Sequence, residues 1–172
     1  MISIISSTNR KKSNSVKVAK TCQNIFNNNG VESNILSLEN LPEDFIFNNS
    51  YGNSSPDYLE LTTKYMSEAQ KIIFIIPEYN GSYPGVLKAF IDSLDHLSMA
   101  GKKACLIGLS SGHSGALRAL DHFTCVLHHL KIEVFSNKPK LSGIEKLIDE
   151  TEIVDHQTIK RLDIMLKEFM KF

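Results

Sequence analysis

The chain predicts a three-layer α/β fold, a parallel sheet with helices on both faces. Three observations carry this. Short, uniformly apolar runs recur, and the plainest, Ile72 to Ile76, suits a strand buried on both faces. Segments with apolar residues at helical spacing alternate with these runs along most of the 172 residues. Polar turns rich in Ser, Asn and Gly stand at the junctions. Parallel neighbours need crossovers, and right-handed crossovers place helices on the faces of the sheet. A chain of 172 residues makes one domain over 1–172 the expectation.

In order, Ile2 to Ser6 read as a first strand, and Val16, Ala19, Cys22 and Phe26 mark one face of a helix that Asn27 to Gly30 stop. Val31 to Leu38 form a second strand, whose polar Glu32, Ser33 and Asn34 suit a sheet edge. Glu39 to Pro56, with Leu41, Pro42, Phe45, Phe47, Tyr51 and Gly52, read as an irregular surface connection, and long connections often carry function. Tyr58 to Gln70 predict a helix with Leu59, Met66 and Ala69 facing inward. Ile72 to Ile76 follow as the third strand, and Pro77, which donates no backbone hydrogen bond, ends the ladder. Pro84 fits a first helical turn ahead of Leu87, Phe90, Ile91 and Leu94. Ala104 to Leu109 give a fourth strand, Gly115 to Leu130 a helix through Leu117, Leu120, Phe123, Leu127 and Leu130, and Lys131 to Phe135 a short fifth strand. Ile159, Leu162, Leu166 and Phe169 mark a closing helix. Five strands and five helices predict the strand order 2-1-3-4-5. Ligands then sit outside the carboxyl ends of the first, third and fourth strands. Three loops converge there: Ser7 to Ser15, Pro77 to Tyr83, and Ser110 to Gly115.

Composition narrows the function. Lysine plus arginine and aspartate plus glutamate stand at 19 each, so no whole-chain field favours nucleic acid or an anionic membrane. Cys22, Cys105 and Cys125 lie far apart without metal-ligand spacing, read as buried apolar residues, and fit a reducing cytoplasm. MISIISSTNR has no basic leader, and no apolar stretch approaches the ~20 residues that span a bilayer, so neither secretion nor membrane insertion is expected.

The first loop gathers Ser7, Thr8, Asn9, Arg10, Lys11, Lys12, Ser13, Asn14 and Ser15 just before a helix whose unpaired amides and positive dipole end favour phosphate. Arg10 offers a guanidinium fork for two phosphate oxygens. Ser13 or Ser15 also suits an ordinary helix cap, and Lys11 and Lys12 suit solvated surface charges. Neither GxxxxGK[ST] nor GxGxxG follows a strand. In the central loop, Glu78 to Tyr83 supply amides, a carboxamide, a hydroxyl, two phenols and a glycine that lets a ligand near the backbone.

Gly108 to Gly112 spell GxSxG, the pattern of a hydrolase elbow, which would make Ser110 a nucleophile. The acid and histidine it requires downstream have only Asp149, Asp155 and His156 as late candidates, beside or within the closing helix, where no sixth strand is expected. Adjacent His128 and His129 cannot share a helical face as metal ligands, and His96 and His122 fall on amphipathic helices, so no metal is expected. His113 alone lies in the converging loops.

STNRKKSNS over Ser7 to Ser15 and PEYNGSYPGVLKAFID over Pro77 to Asp92 resemble the NADPH-dependent FMN reductase family, whose loops read roughly GSxRxxSxN and PEYNxSxPGxLKNxID. The second match is long, and Ser110, Ser111, Gly112 and Gly115 resemble the family's serine-rich third loop more loosely. The resemblance covers most of the chain and is weakest over Glu39 to Pro56 and after Phe135. It implies a flavodoxin-like fold that binds FMN, takes electrons from NADPH or NADH, and passes them to a small-molecule acceptor such as a quinone or free flavin. Thr8, Arg10, Ser13 and Ser15 would hold the phosphate, Pro77, Glu78, Tyr79, Asn80 and Gly81 would border the isoalloxazine ring, and Ser110, Ser111 and Gly112 would close its pyrimidine side. It also implies a homodimer or homotetramer. Ser7 stands where the family has glycine, and Ala89 where it has asparagine. A flavin-binding electron carrier or redox sensor without efficient nicotinamide turnover is the alternative from another class.

Overall fold

A computed structural model of the chain describes residues 1–49 and 52–172. Its strands are β1 (Ile2–Ser6), β2 (Ser33–Ser37), β3 (Lys71–Pro77), β4 (Lys103–Ser110), β5 (Glu133–Val134) and β6 (Lys140–Ser142). The helices are α1 (Asn14–Asn28), a single turn α2 (Phe45–Asn48), α3 (Pro56–Thr62), α4 (Gly85–Asp92), α5 (Leu117–His129) and α6 (His156–Lys171). The sheet runs β2-β1-β3-β4-β5, every pair parallel, with β2 at the edge. This is the order expected for a flavodoxin-like sheet.

Alternation along the strands splits the core in two. Ile72, Phe74 and Ile76 of β3 face α3, α4 and α5, with Leu87, Phe90 and Phe123, and the rings of Phe74 and Phe123 meet edge to face at 5.0 Å. Ile73 and Ile75 face the other way, against Val18, Cys22 and Phe26 of α1 and Leu162, Leu166 and Phe169 of α6. A strand buried on both faces reads as a continuous apolar run, as β3 does.

Several expectations need correction. A sixth strand exists: β6 pairs with the carboxyl end of β4 at Gly108 to Ser110, while β5 pairs only with Lys103 and Ala104. The chain leaves the sheet between them around Pro139, which has no amide to donate to a ladder. Leu59 points outward, 57% exposed; Met66 and Ala69 are buried as expected, joined by Tyr58 and Thr62. After α3 the helix widens into a π turn over Thr63–Ser67, whose extra residue aligns Tyr58 with Met66. The connection after β2 is partly built into the core, with Leu41 and Phe45 buried and Phe45 stacked on Tyr58 at 6.1 Å. Tyr51, read as part of that connection, lies outside the described residues. Cys22 and Cys105 are buried, but Cys125 is exposed because it falls on the outer face of α5, as does half-exposed Leu117. No helix among the described residues is long and apolar enough to cross a membrane.

Candidate functional site

The carboxyl ends of β1, β3 and β4 open onto a cavity of about 480 Å³, and the three predicted loops form its walls together with Ile144 and Glu145. A larger hollow of about 970 Å³ lies between α3, α4 and α5, lined by Leu59, Ile91, Leu94, Val126 and Leu130. It is away from the strand ends, and none of the converging loops reaches it. In an open parallel sheet the switch point beside β1 is the stronger guide to a site.

The first loop is anchored at its start and open at its end. Ser7 donates its amide to Ile75 O at 3.0 Å and its hydroxyl to Ile5 O. Buried Thr8 accepts the Arg10 amide at 3.2 Å and meets the Tyr79 phenol at 2.8 Å, tying the first loop to the second. Lys12 adopts the left-handed region, φ 52°, which turns the chain into the N-cap of α1. Ser13 is that cap, accepting the Val16 amide, and its hydroxyl hydrogen meets no acceptor among the described residues. Ser15, 1% exposed, has an Oγ with no partner among the described residues, although it lines a polar cavity. Arg10, Lys11 and Lys12 also line it, with no side-chain hydrogen bond or ion pair among the described residues. No acid sits in the first turn of α1, so nothing offsets its positive dipole end.

In the second loop, the Glu78 amide reaches Leu109 O at 3.3 Å, and Tyr79 and Ser82 exchange both backbone hydrogen bonds. Between them Asn80 and Gly81 carry φ 51° and 78°, the requirement of a type I′ hairpin turn. This pair therefore fixes the turn and does not line the cavity, whereas Pro77, Glu78 and Tyr79 do. Asn-Gly is itself a hairpin-turn signal in the sequence. Glu78 Oε2 is shielded from solvent and has no partner among the described residues. Ser82 Oγ lies 3.0 Å from His122 Nδ1.

The third loop is braced by the unexpected strand. Ser142 donates to His113 O at 2.7 Å, the Gly143 amide to Gly112 O at 3.3 Å, and Ser111 to Glu145 Oε1 at 2.5 Å. A side chain on Gly115 would come within 2.6 Å of Lys140 Cβ at φ 58°, so only glycine fits the passage. Ser110 and Ser111 line the cavity and Gly112 does not. The Ser111 hydroxyl first, and then Glu145's own amide, hold the Glu145 carboxyl below its usual range. Ile144 and Glu145 were missed because only β6, invisible in a three-residue run, brings them here.

The hydrolase geometry is not assembled. Ser110 ends β4 and donates its hydroxyl to Gly112 O at 2.9 Å, and α5 begins only at Leu117. Asp149 and Asp155 accept amides of Thr151, Glu152 and Thr158, and His156 opens α6. Among the described residues no three His, Cys, Asp or Glu side chains gather as metal ligands.

Comparison with known proteins agrees with this geometry. The profile of the NADPH-dependent FMN reductase family matches residues 1–142. The chain is 32% identical over 124 residues to a quinone reductase of Escherichia coli K12, covering 68% of this chain and 65% of that protein. It thus spans just under two thirds of that relative. A 2-hydroxy-1,4-benzoquinone reductase of a Burkholderia species is 29% identical over 134 residues, covering 72% and 71% of the two chains. Among solved structures, FerB of Paracoccus denitrificans, a flavoenzyme NAD(P)H:acceptor oxidoreductase, superposes with a TM-score of 0.78 at 25% identity over 99% of this chain and 94% of its own. An archaeal flavodoxin shares the fold at a TM-score of 0.62, 16% identity and full coverage of both chains. With the family profile matched over residues 1–142 and the three loops gathered at one cavity, the chain belongs to the NADPH-dependent FMN reductase family.

Proposed function

We propose that residues 1–172 form a single FMN-binding domain that oxidises NADPH or NADH and passes the electrons to a quinone, free flavin or similar small-molecule acceptor. The observation that carries this reading is the first loop. A buried hydroxyl on Ser15, the donor of Ser13, an acid-free helix start and Arg10, Lys11 and Lys12, whose side chains have no partner among the described residues, all line one cavity, and together they fit a phosphate dianion.

Thr8, Arg10, Ser13 and Ser15 would hold the FMN phosphate. Pro77, Glu78 and Tyr79 would border the ring, with Asn80 and Gly81 setting the turn that presents Tyr79. Ser110 and Ser111 would close the pyrimidine side, with Gly112 bracing them through its carbonyl, which accepts the Ser110 hydroxyl and the Gly143 amide. When bound, FMN supplies the two-electron chemistry between nicotinamide and acceptor. The chain binds and orients, and no general base is required of its side chains. Donor and acceptor occupy the same open face in turn, so initial-rate lines should be parallel at varied acceptor; intersecting lines would overturn this ordering.

Purified protein mixed with FMN and freed of excess should keep flavin absorbance that bleaches promptly on anaerobic addition of NADPH. A protein that retains no flavin contradicts the reading. One that retains flavin but turns over no NADPH with quinone is instead a carrier or sensor. The family resemblance further supports a homodimer or homotetramer in solution, and sedimentation as a monomer at micromolar concentration would exclude it. The free thiols of Cys22, Cys105 and Cys125 suit a reducing cytoplasm.

A further inference from the structure

We propose that Glu145 is a positioning residue that fixes Ser111 as a hydrogen-bond acceptor, so that the third loop selects flavin by its pyrimidine N3–H. The inference rests on the FMN reading above and names a residue outside the three loops. Ser111 Oγ lies 2.5 Å from Glu145 Oε1, and both side chains line the cavity. An ionised carboxylate only accepts, so the hydroxyl hydrogen must point at Glu145. The lowered pKa of Glu145, caused first by Ser111 and then by its own amide, keeps the carboxyl ionised at neutral pH. What Ser111 can show a ligand is therefore lone pairs alone.

Two backbone acceptors of this loop already receive hydrogen bonds. Gly112 O receives the Ser110 hydroxyl and the Gly143 amide, and His113 O receives the Ser142 hydroxyl. The pyrimidine edge of an isoalloxazine presents two carbonyls, an unprotonated ring nitrogen and one N–H. Only that N–H complements a pure acceptor. The carboxylate that sets the direction comes from the 3-10 turn Ile144–Lys146 after β6, so this polarity depends on the sixth strand.

The test compares affinities of the apoprotein for FMN and for 3-methyl-FMN, in which a methyl replaces the N3 hydrogen, by quenching of flavin fluorescence. The native chain should prefer FMN by at least about tenfold, the scale of an acceptor left unpaired once the bound flavin covers exposed Ser111. Ser111→Ala and Glu145→Ala should each bring the ratio to within about threefold, the first by removing the acceptor and the second by freeing the hydroxyl to turn. Glu145→Gln, arranged to accept through its carbonyl, should restore most of the preference. A merely structural role would weaken both flavins alike and leave the ratio unchanged. Full discrimination kept in Ser111→Ala or Glu145→Ala would overturn the inference, as would tight but indiscriminate binding by the native chain. Binding of neither flavin would instead remove the FMN reading itself.

Discussion

The two ends of the sheet carry lysines in opposite circumstances. At the amino ends, Lys102 is 4% exposed and gives its ammonium to Ser67 O at 2.6 Å and Ala69 O at 2.7 Å. Lys71 donates to Phe169 O and Met170 O, and Lys103 to Phe172 O, where the carbonyls ending α6 gather negative charge. Their cations also lie over the Phe169 and Phe172 rings. Burial, and for Lys71 also the charge of Lys103, pushes the Lys71 and Lys102 ammoniums below their ordinary pKa. At the carboxyl ends, Arg10, Lys11 and Lys12 have no side-chain partner among the described residues. Cations that spend their donors on carbonyls hold the fold. Those that keep them line the cavity, and on the reading proposed above they meet a phosphate there.

If this division is right, removing cations at the two ends must have separable effects. Lys102→Met should produce the largest change in stability, roughly 2 to 4 kcal/mol, since it leaves two carbonyls without their donor. FMN affinity, normalised to folded protein, should be unchanged. Urea unfolding beside flavin titration checks both halves. Arg10→Ala should do the reverse, leaving the unfolding midpoint of the apoprotein alone while weakening FMN by about 1.5 to 3 kcal/mol, a charge-assisted hydrogen bond. A destabilised Arg10→Ala apoprotein would break the contrast.

A finer version sets two helix starts against each other. α1 opens with the neutral cap Ser13 and no acid in its first turn, whereas α6 opens with Asp155, whose carboxylate accepts the Thr158 amide at 2.7 Å. Ser13→Asp should therefore stabilise the apoprotein by about 0.3 to 1 kcal/mol through the helix dipole while weakening FMN binding. Gains in both quantities would mean that the phosphate lies elsewhere.

How much of this was legible depended on what each segment's neighbours contribute. β1, β3 and β4 were readable to within a residue because burial on both faces favours apolar side chains, interrupted in β1 by buried Ser3 and Ser6, and the three loops followed from their order in the sheet. β6 has a single buried residue, Leu141, and owes its existence to the exposed edge of β4, so no local pattern announces it. Glu145 inherits that obscurity. The π turn after α3 depends on one extra residue in a helical register, which moved the inward face from Leu59 to Tyr58. Lys11 and Lys12 read as readily as surface charges, because charge alone does not say whether a partner is close. Asn80 and Gly81 were read for what they could touch, though their φ values show that they are there for the turn.

The smallest effect tests the α6 cap by pH. The Asp155 carboxyl is held below its ordinary value of 3.8, first by the Thr158 side chain and then by the Thr158 amide. A carboxyl whose folded pKa is depressed stabilises the fold fully above its unfolded value, and that contribution is lost as pH falls through the folded value. Asn caps a helix about as well as Asp but does not titrate. Asp155→Asn should therefore be slightly less stable than the native chain at neutral pH. The difference should shrink at a pH well below 3.8, once the native carboxylate has taken up its proton. Thermal unfolding followed by far-UV circular dichroism at the two pH values gives that difference directly. A gap constant across the range would mean that the carboxylate charge contributes nothing at this helix start. The contrast with the neutral start of α1, which has no acid in its first turn, would then rest on hydrogen bonding alone.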